Sequence, residues 1–218
     1  MKNKYVYITD SEWFEASSLR NPICFMDHKI EQTYPEFYEL DYDLKILATR
    51  APTEEEKSMP IYNDYREKYG DSDISVIDTV THGRIAKNIF LNGFNQEQFE
   101  HIAPLIKETA EVLYLFKCTK VKDLSALSDF KNLKCLFIFG NNSLESLWDM
   151  RYNDDLKIIS FVYVTKLREI GSLIDSNIEY VNFDSSDNCG NKKEMLLDKE
   201  IFTKISTLKH LTLIFKGI

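Results

Sequence analysis

Five segments of the chain share one order of apolar and polar positions, apolar-x-x-apolar-x-apolar. They are "AEVLYLFKC" (110–118), "NLKCLFIFG" (132–140), "LKIISFVYV" (156–164), "IEYVNFDSS" (178–186) and "LKHLTLIFK" (208–216). Their middle apolar positions are Leu113, Leu136, Ile159, Val181 and Leu211, so the steps are 23, 23, 22 and 30 residues. A weaker sixth copy, "AKNIFLNGF", places Ile89 24 residues before Leu113. A fixed period of this size predicts stacked structural repeats, each with one short strand. Between the strands, apolar residues recur at every third position: Val121, Leu124, Leu127, Phe130 and Leu133, then Leu144, Leu147 and Met150, then Leu167, Ile170 and Leu173. Spacing of three suits 3₁₀ or extended turns whose side chains all point one way, into a core.

One segment breaks the simple strand pattern. In "NLKCLFIFGNN" (132–142), Cys135 to Phe139 are apolar without interruption, and the run stops at Gly140. A strand with one wet face should alternate, so this strand is predicted to be apolar on both faces.

The repeat resembles the leucine-rich repeat family, whose signature is L-x-x-L-x-L-x-x-N/C-x-L. Leu133, Leu136, Ile138 and Asn141 match it in full, and Ala110, Leu113, Leu115 and Cys118 match with cysteine in the asparagine position. Leu156, Ile159 and Phe161 match with Val164 in that place, and Ile178, Val181 and Phe183 match with Ser186. The resemblance covers residues 83–218 in repeats of 22–24 residues and is strongest over 108–186. It implies an α/β solenoid of about six repeats, with a curved parallel sheet on its concave side and short helices or 3₁₀ turns on its convex side. It also implies that the residues between the signature positions face the concave side. These include Phe90, Tyr114, Phe116, Phe137, Phe139, Ser160, Val162 and Asn182, a mainly aromatic patch expected to contact a protein partner. The other covering for this patch is the N-terminal third of the chain, folded back over the sheet.

Two segments of this half depart from the repeat. In 95–112, Asn95 is a fair N-cap, and Phe99, Ile102 and Ile106 fall at helical spacing, with Pro104 expected to kink or restart the helix. The long last step, through 185–202, reads as a polar loop and then a short helix. Residues 1–80 show no repeat. "KYVYIT" reads as a strand, Asp10 as the cap of a helix "SEWFEASSL", and the whole as an acidic α+β cap or small domain in front of residues 81–218.

Charge and composition narrow the function. The 218 residues carry a net charge of −8, with 44% hydrophobic and 28% charged residues, as an ordinary globular chain does. The whole excess lies in residues 1–80, which hold 17 acidic against 9 basic side chains. Such a surface disfavours nucleic acid and suits a basic protein partner. No apolar run approaches the ~18 residues of a membrane helix, and the early charges do not form a secretory leader. Cys24, Cys118, Cys135 and Cys189 are scattered, which favours free thiols and a cytoplasmic setting.

No spacing of His28, His82, His101 or His210 suits a metal, and no phosphate-cradling or nucleophile motif occurs. The cluster His28, Glu31, Glu36, Glu39, Asp41 and Asp43 reads as a solvated acidic face. The sequence therefore predicts a monomeric, cofactor-free, non-enzymatic protein-binding module. An inhibitor or immunity-type protein neutralising a basic partner is the first expectation. An intracellular adaptor is the second, and an enzyme built on the acidic cluster is a distant third.

Overall fold

The computed structural model describes residues 5–8, 44–48, 86–184 and 198–214. Eight strands form one sheet in chain order: β1 (Tyr5–Ile8), β2 (Leu44–Ala48), β3 (Asn88–Asn92), β4 (Val112–Phe116), β5 (Cys135–Phe139), β6 (Ile158–Val162), β7 (Tyr180–Asp184) and β8 (His210–Ile214). The β1–β2 pair is antiparallel, and the six pairings from β2 to β8 are parallel. Consecutive parallel neighbours require a crossover on the same side each time. Here the crossovers are short: helix α1 (Gln96–Ile106), the 3₁₀ turns Ser125–Asp129, Met150–Tyr152 and Gly171–Leu173, and helix α2 (Glu200–Lys204). The result is a solenoid-like coil with the sheet on one side and helical turns on the other.

Register follows the sequence period. Ile89 pairs with Leu113, Leu113 with Leu136, Leu136 with Ile159, Ile159 with Val181 and Val181 with Leu211. The spacing-three ladders also point inward as expected. Val121, Leu124, Leu127, Phe130 and Leu133 are buried in one coil, and Leu167, Ile170 and Leu173 in another. In the coil between them Leu147 is only partly buried, and Trp148 fills the interior beside Leu144 and Met150.

Helix α1 starts where the sequence predicts. Asn95 Oδ1 accepts from the Gln98 amide at 2.9 Å, and Gln98 Oε1 accepts from the Asn95 amide at 2.7 Å. This reciprocal capping box satisfies two donors that the helix leaves unpaired. The helix is shorter than the 95–112 pattern suggested, and it runs through Pro104 without restarting. Pro104 lies on the exposed side of the last turn. The helix ends because Ala110 must enter the core, and the Ile106 carbonyl accepts from both Thr109 and Ala110.

"KYVYIT" contains β1, as read, whereas "LKILA" supplies a strand that the pattern did not single out. The expected helix at "SEWFEASSL", the acidic cluster at 28–43 and the polar loop 185–197 lie outside the described residues. The helix expected after that loop is α2.

Candidate binding face

Each coil turns through a corner where backbone groups are buried and must find partners. At Asn141, which is fully buried, one side chain serves four of them. Its Nδ2 donates to the carbonyls of Cys118 (2.9 Å) and Val121 (2.7 Å), and its Oδ1 accepts from the amides of Ser143 (2.8 Å) and Leu144 (2.9 Å). One coil earlier Cys118 holds the same place, its thiol donating to the Leu91 carbonyl at 3.5 Å. One coil later the place is Val164, also buried. A second internal asparagine went unnoticed in the sequence. Asn153 Nδ2 donates to the Leu127 and Phe130 carbonyls, and its Oδ1 accepts from Trp148 Nε1 at 2.8 Å. Its only sequence signal is position, since polar and charged residues surround it.

With one face of the sheet committed to this core, the other carries the residues expected to bind a partner. The pairing sets them in rows. The central row is Phe90, Tyr114, Phe137, Ser160, Asn182 and Thr212, and the next toward the strand ends is Asn92, Phe116, Phe139, Val162, Asp184 and Ile214. Rings touch along and between the rows. Phe90 and Tyr114 meet edge to face with centroids 4.8 Å apart, and Phe116 stacks on Phe139 at 4.9 Å. Tyr163, just after β6, meets Phe139 edge-on at 5.1 Å. Each such pair stabilises by about 0.5–1.5 kcal/mol beyond area burial. From β6 onward the row turns polar, and Asn182 Nδ2 donates to Ser160 Oγ at 2.9 Å.

This face is already buried in the single chain. Phe90, Tyr114 and Phe137 are at most 2% exposed, and Ser160, Val162 and Asn182 are buried with them. These residues are separate from the core on the opposite side, which continues through α1 and the turns. Phe116, at 8%, and the half-buried Phe139 and Tyr163 mark where the face reaches the carboxyl ends of the strands. Seven of the eight residues read as a contact surface are therefore buried, and the accessible part is a rim at Phe139 and the neighbouring Tyr163.

The rim has a recurring backbone feature. Gly93, Lys117, Gly140 and Tyr163 follow their strands at matching positions, with φ of 75°, 49°, 67° and 57°. Their amides bridge to the next strand, Lys117 to the Phe139 carbonyl at 2.7 Å and Gly140 to the Val162 carbonyl at 2.8 Å. Glycine adopts this conformation freely, whereas Lys117 and Tyr163 hold it at a cost of about 1–2 kcal/mol. The strained backbone aims Lys117 Nζ over the Phe116 ring, 5.2 Å from its centroid.

At the other end of the strands runs a charged row that sequence reasoning passed over. Lys87, Glu111, Lys134, Lys157, Glu179 and Lys209 each immediately precede a strand in β3–β8. Glu111 binds both neighbours, Lys134 and Lys87, at 2.6 Å, and Glu179 binds Lys209 at 2.6 Å. The lysines, Lys134 foremost, hold the Glu111 carboxyl below its ordinary value, and Glu111 in turn raises Lys134.

Burial perturbs two titratable groups, one in β4 and one just after it. Burial pushes the Cys118 thiol up to about 12, so it is a protonated core group despite the adjacent Lys117. Burial likewise raises the Tyr114 phenol. Among the described residues, no group of three or more His, Cys, Asp or Glu could hold a metal ion, and no helix is long and apolar enough to cross a membrane.

Geometry thus defines a class, an open parallel sheet with short helical turns that is compatible with a repeat solenoid, its second face aromatic from β3 to β5. No protein-family model matches the chain, and no curated protein matches it.

Proposed function

We propose that the chain is a non-enzymatic leucine-rich repeat protein that binds one protein partner, as an inhibitor or immunity-type protein neutralising a basic target. The repeat type is supported by the Asn141 corner, by Cys118 one coil earlier, and by strands in register every 22–24 residues. One observation carries the binding role: the aromatic row Phe116–Phe139–Tyr163, with Lys117 in left-handed backbone beside it, at the open ends of the strands. Clustered aromatic anchors are enriched in interface hot spots. The acid excess of residues 1–80 adds long-range steering toward a basic partner. The buried thiols Cys118 and Cys135 fit a reducing, cytoplasmic compartment.

The test is capture of partner by immobilised wild-type chain and by Phe139→Glu and Tyr163→Glu chains, with circular dichroism to establish that all three fold. The expected result is one basic protein, held stoichiometrically by wild type, lost by both variants and released by about 1 M salt. Undiminished capture by both variants overturns the rim. Capture of several unrelated proteins replaces the inhibitor role with that of an adaptor. An activity abolished by substitution of His28 or Glu36 in a folded chain replaces both with an enzyme.

A further inference from the structure

Charge is arranged differently at the two ends of the strands. At the amino ends Lys87, Lys134 and Lys209 are each held by a glutamate at 2.6 Å. At the carboxyl ends, the corners that follow β3, β4, β5 and β6 are residues 93–96, 117–120, 140–143 and 163–166. These corners contain three lysines, Lys117, Lys120 and Lys166, and no acidic residue. All three lysines are exposed, and among the described residues no carboxylate forms an ion pair with any of them. Acidic side chains return only further round the coils, at Asp123, Glu145 and Glu169, where Lys122 and Arg168 balance them.

The three lysines flank one corner. Lys120, Ser143 and Lys166 succeed one another at 23-residue steps. Lys120 and Lys166 therefore stand two strand spacings apart, about 10 Å, on either side of 140–143. That middle corner is Gly-Asn-Asn-Ser, small and uncharged, and its Asn141 is turned inward to serve the backbone. Lys117 leans over it, since a Cβ on Gly140 would lie 3.5 Å from Lys117 Cγ. Each ammonium only donates hydrogen bonds, and its four-carbon stem is free to swing toward a group seated between the coils. The ring row Phe116–Phe139–Tyr163 borders the same corner.

We propose that this saddle takes an acidic segment of the protein partner, in which carboxylates flank an aromatic or branched apolar side chain. The carboxylates pair with Lys117, Lys120 and Lys166, and the apolar side chain packs against Phe139 and Tyr163. This contact chemistry rests on the binding role and deepens it. The acid excess of residues 1–80 acts on the overall charge of the partner during approach, whereas the lysines act at contact, within a Debye length of about 8 Å. A partner that is basic as a whole thus meets the rim with an acidic stretch.

Fluorescence anisotropy on the full chain tests this with labelled probes: a short peptide of alternating glutamate and phenylalanine, its lysine–phenylalanine counterpart, and a single-stranded oligonucleotide. The acidic peptide should bind at least about tenfold better than either of the others. Lys120→Glu combined with Lys166→Glu should weaken it about tenfold or more, and so should about 0.5 M salt. Lys122→Glu, further round the coil, should change it by less than about twofold. Circular dichroism establishes that the variants fold. No binding of the acidic peptide at about 1 mM overturns the proposal. So does equal binding of the basic peptide, tighter binding of the oligonucleotide, or acidic-peptide binding that survives the double substitution. Partner capture separates this outcome from that of the binding role. A partner lost by Phe139→Glu but held undiminished by the double lysine variant overturns the acidic contact and leaves the binding role standing, whereas loss by both supports the two together.

Discussion

Asn141 lies 23 residues after Cys118 and donates to its carbonyl at 2.9 Å, so one side chain ties the corner of a coil to the corner before it. The same amide group serves Val121, Ser143 and Leu144. Asn141→Ala would leave four buried backbone groups without partners. At about 1–3 kcal/mol for an orphaned group, with partial relaxation, the expected loss is about 3 kcal/mol. Asn141→Asp should cost a similar amount, because the carboxylate cannot donate. Urea midpoints against wild type measure both, and a loss under about 1 kcal/mol for Asn141→Ala would contradict the role of the corner.

Glu111 makes stability depend on acid. Its carboxyl is held below the ordinary 4.5 by Lys134 and Lys87. A depressed folded pKa contributes stability that is fully present above 4.5 and is lost as pH falls through the lower folded value. Both lysines are about half exposed, so solvent screening limits the effect to about 0.5–1 kcal/mol. In Glu111→Gln the difference from wild type should be present at pH 7 and vanish once the pH falls below the depressed carboxyl value. Melting curves across that range decide it, and a difference unchanged at low pH would assign the loss to packing instead.

The rim turns allow a paired test of backbone strain. At Gly140 an added Cβ would meet Lys117 Cγ at 3.5 Å and Lys117 Cα at 3.9 Å, both ordinary contacts, so space is available and the φ of +67° is the obstacle. Gly140→Ala should destabilise by about 1 kcal/mol. Lys117→Gly should recover strain at the matching turn, offset by the added freedom of glycine in the unfolded chain, for a net gain of a few tenths of a kcal/mol. Equal losses from both changes would mean that the left-handed turns carry no strain.

Cys118 should resist thiol reagents. Burial raises its pKa to about 12, and reagents attack the thiolate. At pH 8 its labelling should follow global unfolding, speeding up in denaturant and remaining negligible without it. Mass spectrometry of labelled peptides reads the site directly, and rapid labelling of the native chain would show an open corner.

Much of this architecture is visible in the amino-acid order because repetition amplifies a weak signal. The strand positions of Leu113, Leu136, Ile159 and Val181, the Asn95 cap and the Asn141 corner all rest on local residue types at fixed spacing. What the order conceals depends on neighbours in space. "LKHLTLIFK" has the same pattern as its siblings, yet Leu211 is open, because exposure is set by the coil beside it and not by its own residues. Phe137 and Phe90 are likewise identifiable as apolar, but periodicity does not say what lies against them. The charge row through Glu111 and Lys134 joins residues 23 apart, and each lysine alone looks like ordinary surface.

The buried side-chain donors that cross between coils have a common direction. Cys118 reaches back to Leu91, Asn141 to Cys118 and Val121, Asn153 to Leu127 and Phe130, and Asn182 to Ser160. Each later coil therefore supplies the donors, and the earlier coil supplies the carbonyls that accept them. A chain made from its N-terminus can close each coil against a finished predecessor as it emerges. Shortening from the two ends should also be unequal. Coils removed from the C-terminal side leave carbonyls at a new edge that solvent can reach, whereas coils removed from the N-terminal side leave amide and thiol donors without their carbonyls.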